Sequence, residues 1–222
     1  MFWQLLLAHL LADFPLQPLW LVRSKQFFWG LAVHAAVHFL TLLLVVGNLR
    51  GTIWPQLLVL ALIHFTIDVT KYRLGSRRPD WVTTPYFIDQ TVHILSVLLV
   101  TAWIATIVPE PPLAIASSVA IVASAYLVAT HVWFVTEKTL AHAEAGYRRE
   151  IENSLWPRML ARALFLSGLL FFMIGQAPST GALAATVWLP YYKDSYWRRA
   201  LVTDILVAIL SAVFVRLTAG SL

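Results

Sequence analysis

Seven stretches of about 20 mostly apolar residues recur along the chain, near residues 2–22, 27–47, 53–73, 86–108, 113–136, 156–176 and 199–219. Each can cross a hydrocarbon core of about 30 Å as a helix. Only helices and closed barrels satisfy their backbone polar groups in that environment. The repeated length restricts the chain to an all-α polytopic transmembrane helix bundle. Composition agrees: 12% of the 222 residues are charged and 59% are hydrophobic, against about 25% charged in soluble domains.

There is no cysteine, which excludes disulfides and thiolate metal sites. A formal net charge of +5 suits basic loops beside anionic lipid, and no nucleic-acid partner is expected. The N-terminus lacks a basic leader and an A-x-A-like exit, so a cleaved signal peptide is not expected.

The basic residues set the orientation. Arg23 and Lys25 follow the first stretch, Lys71, Arg73, Arg77 and Arg78 the third, and Lys138, Arg148 and Arg149 the fifth. The intervening loops hold only Arg50, Glu110 and the uncharged 175–181. The positive-inside rule then places the N-terminus outside. A shorter apolar piece at 178–191, broken by Pro190, makes the count eight spans if it crosses and seven if it does not. Residues 1–108 form one membrane half and 109–222 a supporting half, with a polar cytoplasmic linker at about 138–155.

Each of the first four stretches carries two ionisable residues four positions apart: His9 and Asp13, His34 and His38, His64 and Asp68, Asp89 and His93. Positions i and i+4 share one helix face. Each pair can therefore turn inward while the rest of its helix meets lipid. A charged side chain at mid-membrane costs from about 2.5 kcal/mol upward, so eight such groups are tolerable only if they satisfy one another. Counted from the cytoplasmic ends, all four pairs fall about 5–20 Å deep at 1.5 Å per residue. They belong to one layer in the cytoplasmic half.

Imidazole and carboxylate without thiolate is a ligand set for zinc, iron, manganese or cobalt. Eight candidates exceed one tetrahedral shell, which implies two ions or a set of outer partners. Asp13, Asp68 and Asp89 are also the candidates for general base. A bound divalent ion would support hydrolysis of a lipid or lipid-linked substrate. The same residues suit a proton or ion pathway, since His and Asp chains relay protons, or a structural subunit locked by interhelical hydrogen bonds.

Pro15 and Pro18 flank Gln17 and predict a bend or opening beside a polar cavity, because proline removes a donor and clashes with the carbonyl four residues back. Gln17 and Gln90 are candidates for substrate contacts or for interhelical hydrogen bonds. Lys71 is expected to pair with Asp68. Asp204 is expected to form a structural ion pair with Arg158 or Arg162. His131 reads as a satisfied core histidine.

"HLLADFPLQ" from His9, "LAVHAAVH" ending at His38, "HFTID" from His64 and "DQTVH" from Asp89 resemble the bacterial inner-membrane family called domain of unknown function 3307. The resemblance covers about the first 95 residues. It implies that the eight residues form a shared signature in a bacterial inner-membrane protein, and it implies no activity. Pro157 stands where the pattern leads one to expect an acid before Arg158.

Overall fold

The computed structural model describes residues 1–77, 81–109, 111, 113–173 and 196–220. Among the described residues all regular secondary structure is helical. Among the described residues five helical stretches are long and apolar enough to cross a membrane: Phe28–Gly75, Thr83–Ile107, Ser117–Leu140, Leu155–Met173 and Trp197–Ala219. The piece expected at 178–191 lies outside the described residues. The chain divides into two compact units, Met1–Ala120 and Ile121–Leu222.

The first unit opens with α1 (Phe2–Asp13) and a short α2 (Leu19–Ser24). The expected span at 2–22 is therefore not one helix. Pro15 offers no backbone N–H, and Pro18 sits extended (φ −64°, ψ 159°) as the residue before α2. At 12 residues α1 is about 18 Å long, short of a full crossing. Gly30 lets the start of α3 (Phe28–Val46) approach α2, where a Cβ would stand 2.1 Å from the Ser24 carbonyl oxygen.

A three-residue 3₁₀ turn, Gly47–Leu49, separates α3 from α4 (Arg50–Arg77). Gly47 holds φ +61°, and a Cβ there would meet Ala114 at 2.6 Å, so glycine is required on both counts. The chain folds back at this corner: α3 packs against α4, α4 against α5 (Thr83–Ile107), and α1 against both α3 and α5. These contacts close a four-helix ring.

The ring is layered. Leu5 and Ala8 of α1, Leu42 and Val45 of α3, Leu57 and Leu60 of α4 and Val97 and Val100 of α5 make one apolar core. The four His/Asp pairs lie beyond it toward the other end of the same helices. Lipid-facing surface is equally apolar, as Leu44, Leu62, Leu95 and Leu99 are exposed. Trp20, Trp54 and Trp81 are exposed near helix ends, where indole suits the interface.

The second unit contains most of α6 (Ser117–Leu127), a π turn at Val128–Val132, α7 (Trp133–Leu140), α8 (Ala145–Asn153), α9 (Leu155–Met173) and α10 (Trp197–Ala219). His131 lies on the π turn with Nδ1 3.0 Å from Thr130 Oγ1. The helix α9 packs against α10 and the π turn. Buried Arg158 on α9 donates through Nη2 to Glu137 Oε2 at 2.7 Å and to Asp204 Oδ1 at 2.6 Å. Its Nε donates to Asp204 Oδ2 at 3.0 Å. Arg162 Nη1 stands 3.6 Å from Asp204. Glu137 also accepts from Thr203 Oγ1 at 3.1 Å and from the Tyr147 hydroxyl. Asp204 thus meets both expected arginines, and Glu137 is the partner that its place at a span end did not suggest.

Candidate metal centre

All eight sequence-predicted residues meet inside the ring of the first unit. His9, His34, His38, His64, Asp68, Asp89 and His93 are buried, and the Asp13 side chain is 10% exposed. Helical spacing does the local work: α1, α3, α4 and α5 each supply two side chains from one face.

Asp13 is the hub. His34 Nε2 and His38 Nε2 each lie 3.0 Å from its Oδ1, and His64 Nε2 lies 3.6 Å from the same oxygen. His9 Nε2 is 3.2 Å from Oδ2. Asp68 forms a second focus. Its Oδ2 is 3.7 Å from both His34 Nε2 and His64 Nε2, and its Oδ1 is 3.7 Å from His93 Nε2. Asp89 Oδ1 stands 3.4 Å from His93 Nε2. The imidazoles of His38, His64 and His93 stack in a column, with ring centroids 3.6 Å and 4.1 Å apart.

Three sets of donor atoms each fit within 4.8 Å: His9, Asp13, His38 and His64; His34, His64 and Asp68; Asp68, Asp89 and His93. Ligands at about 2.0–2.2 Å from one ion are separated by roughly 3.3–3.6 Å in a tetrahedron and 2.8–3.1 Å in an octahedron. The observed separations of 3.0–3.7 Å fall on or just beyond these edges. Several are poor hydrogen bonds. Neither ring nitrogen of His64 has a hydrogen-bond partner among the described residues, nor do His9 Nε2, His93 Nδ1 and Asp89 Oδ1. Buried polar atoms rarely stay unmatched. The donor set therefore fits divalent ions, which these residues would hold.

Gln17 and the lysines complete the surroundings. Lysine has only donors, so the Gln17 amide oxygen faces Lys25 Nζ and also accepts from His34 Nδ1–H at 3.3 Å. Its nitrogen donates to the Asp13 carbonyl at 3.2 Å. With Nδ1–H given to Gln17, His34 Nε2 faces the Asp13 carboxylate at 3.0 Å, a hydrogen-bond donor to it when the ring is doubly protonated and a lone pair that a cation would share when it is neutral. Gln90 Nε2 donates to Asp89 Oδ2 at 3.1 Å. Both glutamines sit behind ligand candidates. Gln17→Ala is expected to weaken metal binding by about 10–100-fold with little loss of fold, and Gln17→Glu to recover part of it. A metal titration with unchanged affinity in the alanine variant would remove Gln17 from this role.

Lys71 corrects its sequence-based expectation. Its Nζ donates to Asp89 Oδ2 at 2.6 Å on α5, and Asp68 is instead held by buried Lys25 Nζ at 3.1 Å. Lys71 shares the α4 face of His64 and Asp68, being seven and three residues on, which was a readable signal. Lys25 had none, because it reaches Asp68 only through the return of the chain after the break at Pro15 and Pro18.

No curated protein and no solved structure matches the chain. A family model does match, over residues 1–124, and its description is "Protein of unknown function (DUF3307)". The match spans all four helices that build the His/Asp ring, and by it the chain belongs to that family.

Proposed function

We propose that this chain is an intramembrane metal-dependent hydrolase of a bacterial inner membrane, acting on a lipid or lipid-linked substrate that approaches from the cytoplasmic half. The observation that carries the reading is His64: its Nε2 lies 3.6 Å from Asp13 Oδ1 without a hydrogen bond to it. That is ligand-to-ligand spacing. Asp13, His9, His38 and His64 would hold one divalent ion, zinc among the candidates, and Asp68, Asp89 and His93 a second.

Such ions supply Lewis acidity, polarising a carbonyl or phosphoryl oxygen and making hydroxide available near neutral pH. The chain supplies the rest. With one ion held at Asp13, Asp89 stays outside the ligand set and keeps Oδ1 without a hydrogen bond while Lys71 and Gln90 hold Oδ2, which suits a general base that accepts a proton from the attacking water. Lys71, bonded to Asp89 Oδ2, would neutralise charge on the leaving oxygen.

Elemental analysis of the purified protein tests the centre, and release of product from lipid in nanodiscs tests the activity. Metal near one or two ions per chain, with hydrolysis lost on chelation and restored by the same metal, is the expected result. His64→Ala should lose both. A folded protein that takes up no divalent metal would overturn the reading in favour of a proton or ion pathway, or of a structural subunit.

A further inference from the structure

A groove of about 260 Å³ runs between α4 and α5. Its walls are apolar, with Ile67 and Leu74 from α4, Pro85, Ile88 and Val92 from α5, and Trp81 just before α5. Leu74, Trp81, Ile88 and Val92 are exposed, so the groove lies on an outer face of the ring that lipid would cover. Lys71 and Asp89 also line it, joined at 2.6 Å. Asp89 is at once a lining residue and a candidate ligand. An apolar surface groove therefore leads to the His/Asp centre.

Charge decides what enters it. In the first unit the described acidic residues are Asp13, Asp68 and Asp89 alone, and all three belong to the centre. Two of them already carry an ammonium, Lys25 on Asp68 and Lys71 on Asp89. Three carboxylates against two lysines leave one negative charge, and each divalent ion adds two positive ones. With water as the outside ligand the loaded centre is thus cationic with one ion and more so with two, and each bound hydroxide lowers that charge by one. Uncompensated charge in a low-dielectric interior is costly. A neutral ester brings no compensation, whereas an ionised phosphate brings one or two negative charges and oxygens that Lys71 can meet.

We infer that the substrate class of this site is a phosphorylated lipid, its chain in the α4–α5 groove and its phosphate between Lys71 and the ions. The inference rests on the metal-dependent reading above. In the reaction a water oxygen bonds to phosphorus, the phosphorus–oxygen bond to the lipid breaks, and the lipid oxygen leaves as an alcohol with one proton from that water.

Metal-loaded full-length protein in nanodiscs is titrated with phosphatidic acid, with diacylglycerol of the same chains, and with inorganic phosphate. Phosphatidic acid is expected to bind at least tenfold more tightly than either comparison ligand. Lys71→Gln should lose roughly tenfold or more of that affinity, the scale of a hydrogen bond to a charged group, and Lys71→Arg should retain most of it. Equal binding of phosphatidic acid and diacylglycerol would overturn the phosphate, and equal binding of inorganic phosphate would overturn the lipid. An unaltered Lys71→Gln affinity would overturn the placement. Hydrolysis is scored separately. Cleavage of diacylglycerol without preference for phosphatidic acid leaves a hydrolase with the wrong substrate class. Tight phosphatidic acid binding without cleavage of any lipid keeps the ligand class and removes the hydrolase.

Discussion

Asp13→Ala is expected to purify with almost none of the wild type's bound metal, its affinity lower by about a hundredfold or more. Outer-shell partners alone are worth about 10–100-fold in metal affinity, and Asp13 faces four imidazoles directly. Those imidazoles come from α1, α3 and α4, so the loss does not stay local. His9 and His38 would then lose the carboxylate they face, and His34 and His64 would keep only Asp68 Oδ2, 3.7 Å away. Asp13→Asn separates charge from shape: it keeps the volume and one acceptor oxygen and loses the anion. Both variants should lose metal, and the asparagine form should melt closer to wild type. Metal content by mass spectrometry, paired with a thermal melt in detergent, checks this. Full metal occupancy in Asp13→Asn would show that the carboxylate charge is not what gathers the histidines.

Arg158→Ala should produce the largest loss of stability in the second unit, about 3–5 kcal/mol, the cost of removing one partner of a buried charge cluster. Arg158 sits between Glu137 and Asp204, both buried, and serves both. Without it two carboxylates remain 0–4% exposed with Arg162 as the nearest cation, 3.6 Å from Asp204. Combining Arg158→Met with Glu137→Gln, which leaves Asp204 to Arg162 at 3.6 Å, should recover most of the loss, because each remaining ion keeps a partner. A single alanine variant that melts like wild type would show that the cluster is not holding α7, α9 and α10 together.

How much of this was legible in the chain depends on whether the signal was local. The eight ring residues were, because four-residue spacing on a helix fixes a shared face without knowledge of any neighbour. Apolar patterning could not do the same. The outward side chains meet lipid and are as hydrophobic as the core, so Leu44 and Leu99 read like Leu42 and Val100, and polar residues become the marker of the inward face. The stop at Asp13 was half legible: two prolines announced a bend, and the structure ends the helix there. Contacts that cross the fold were not legible. Lys71 lies three residues from Asp68, yet its ammonium goes to Asp89 on the next helix. Lys25 appeared as an orientation signal in a loop and is instead buried against Asp68. Glu137 depends on three separate helices meeting.

The layering of the ring has a further consequence. On one side of the histidines and aspartates, Leu5, Leu42, Leu57 and Val100 belong to a tightly filled apolar core, with Leu5 and Leu57 fully buried. Wires of water do not thread such a layer, since nothing in it replaces their hydrogen bonds. The five imidazoles and three carboxylates therefore rest on a hydrocarbon floor that offers them no hydrogen-bond partner, and on that side they have only one another to satisfy.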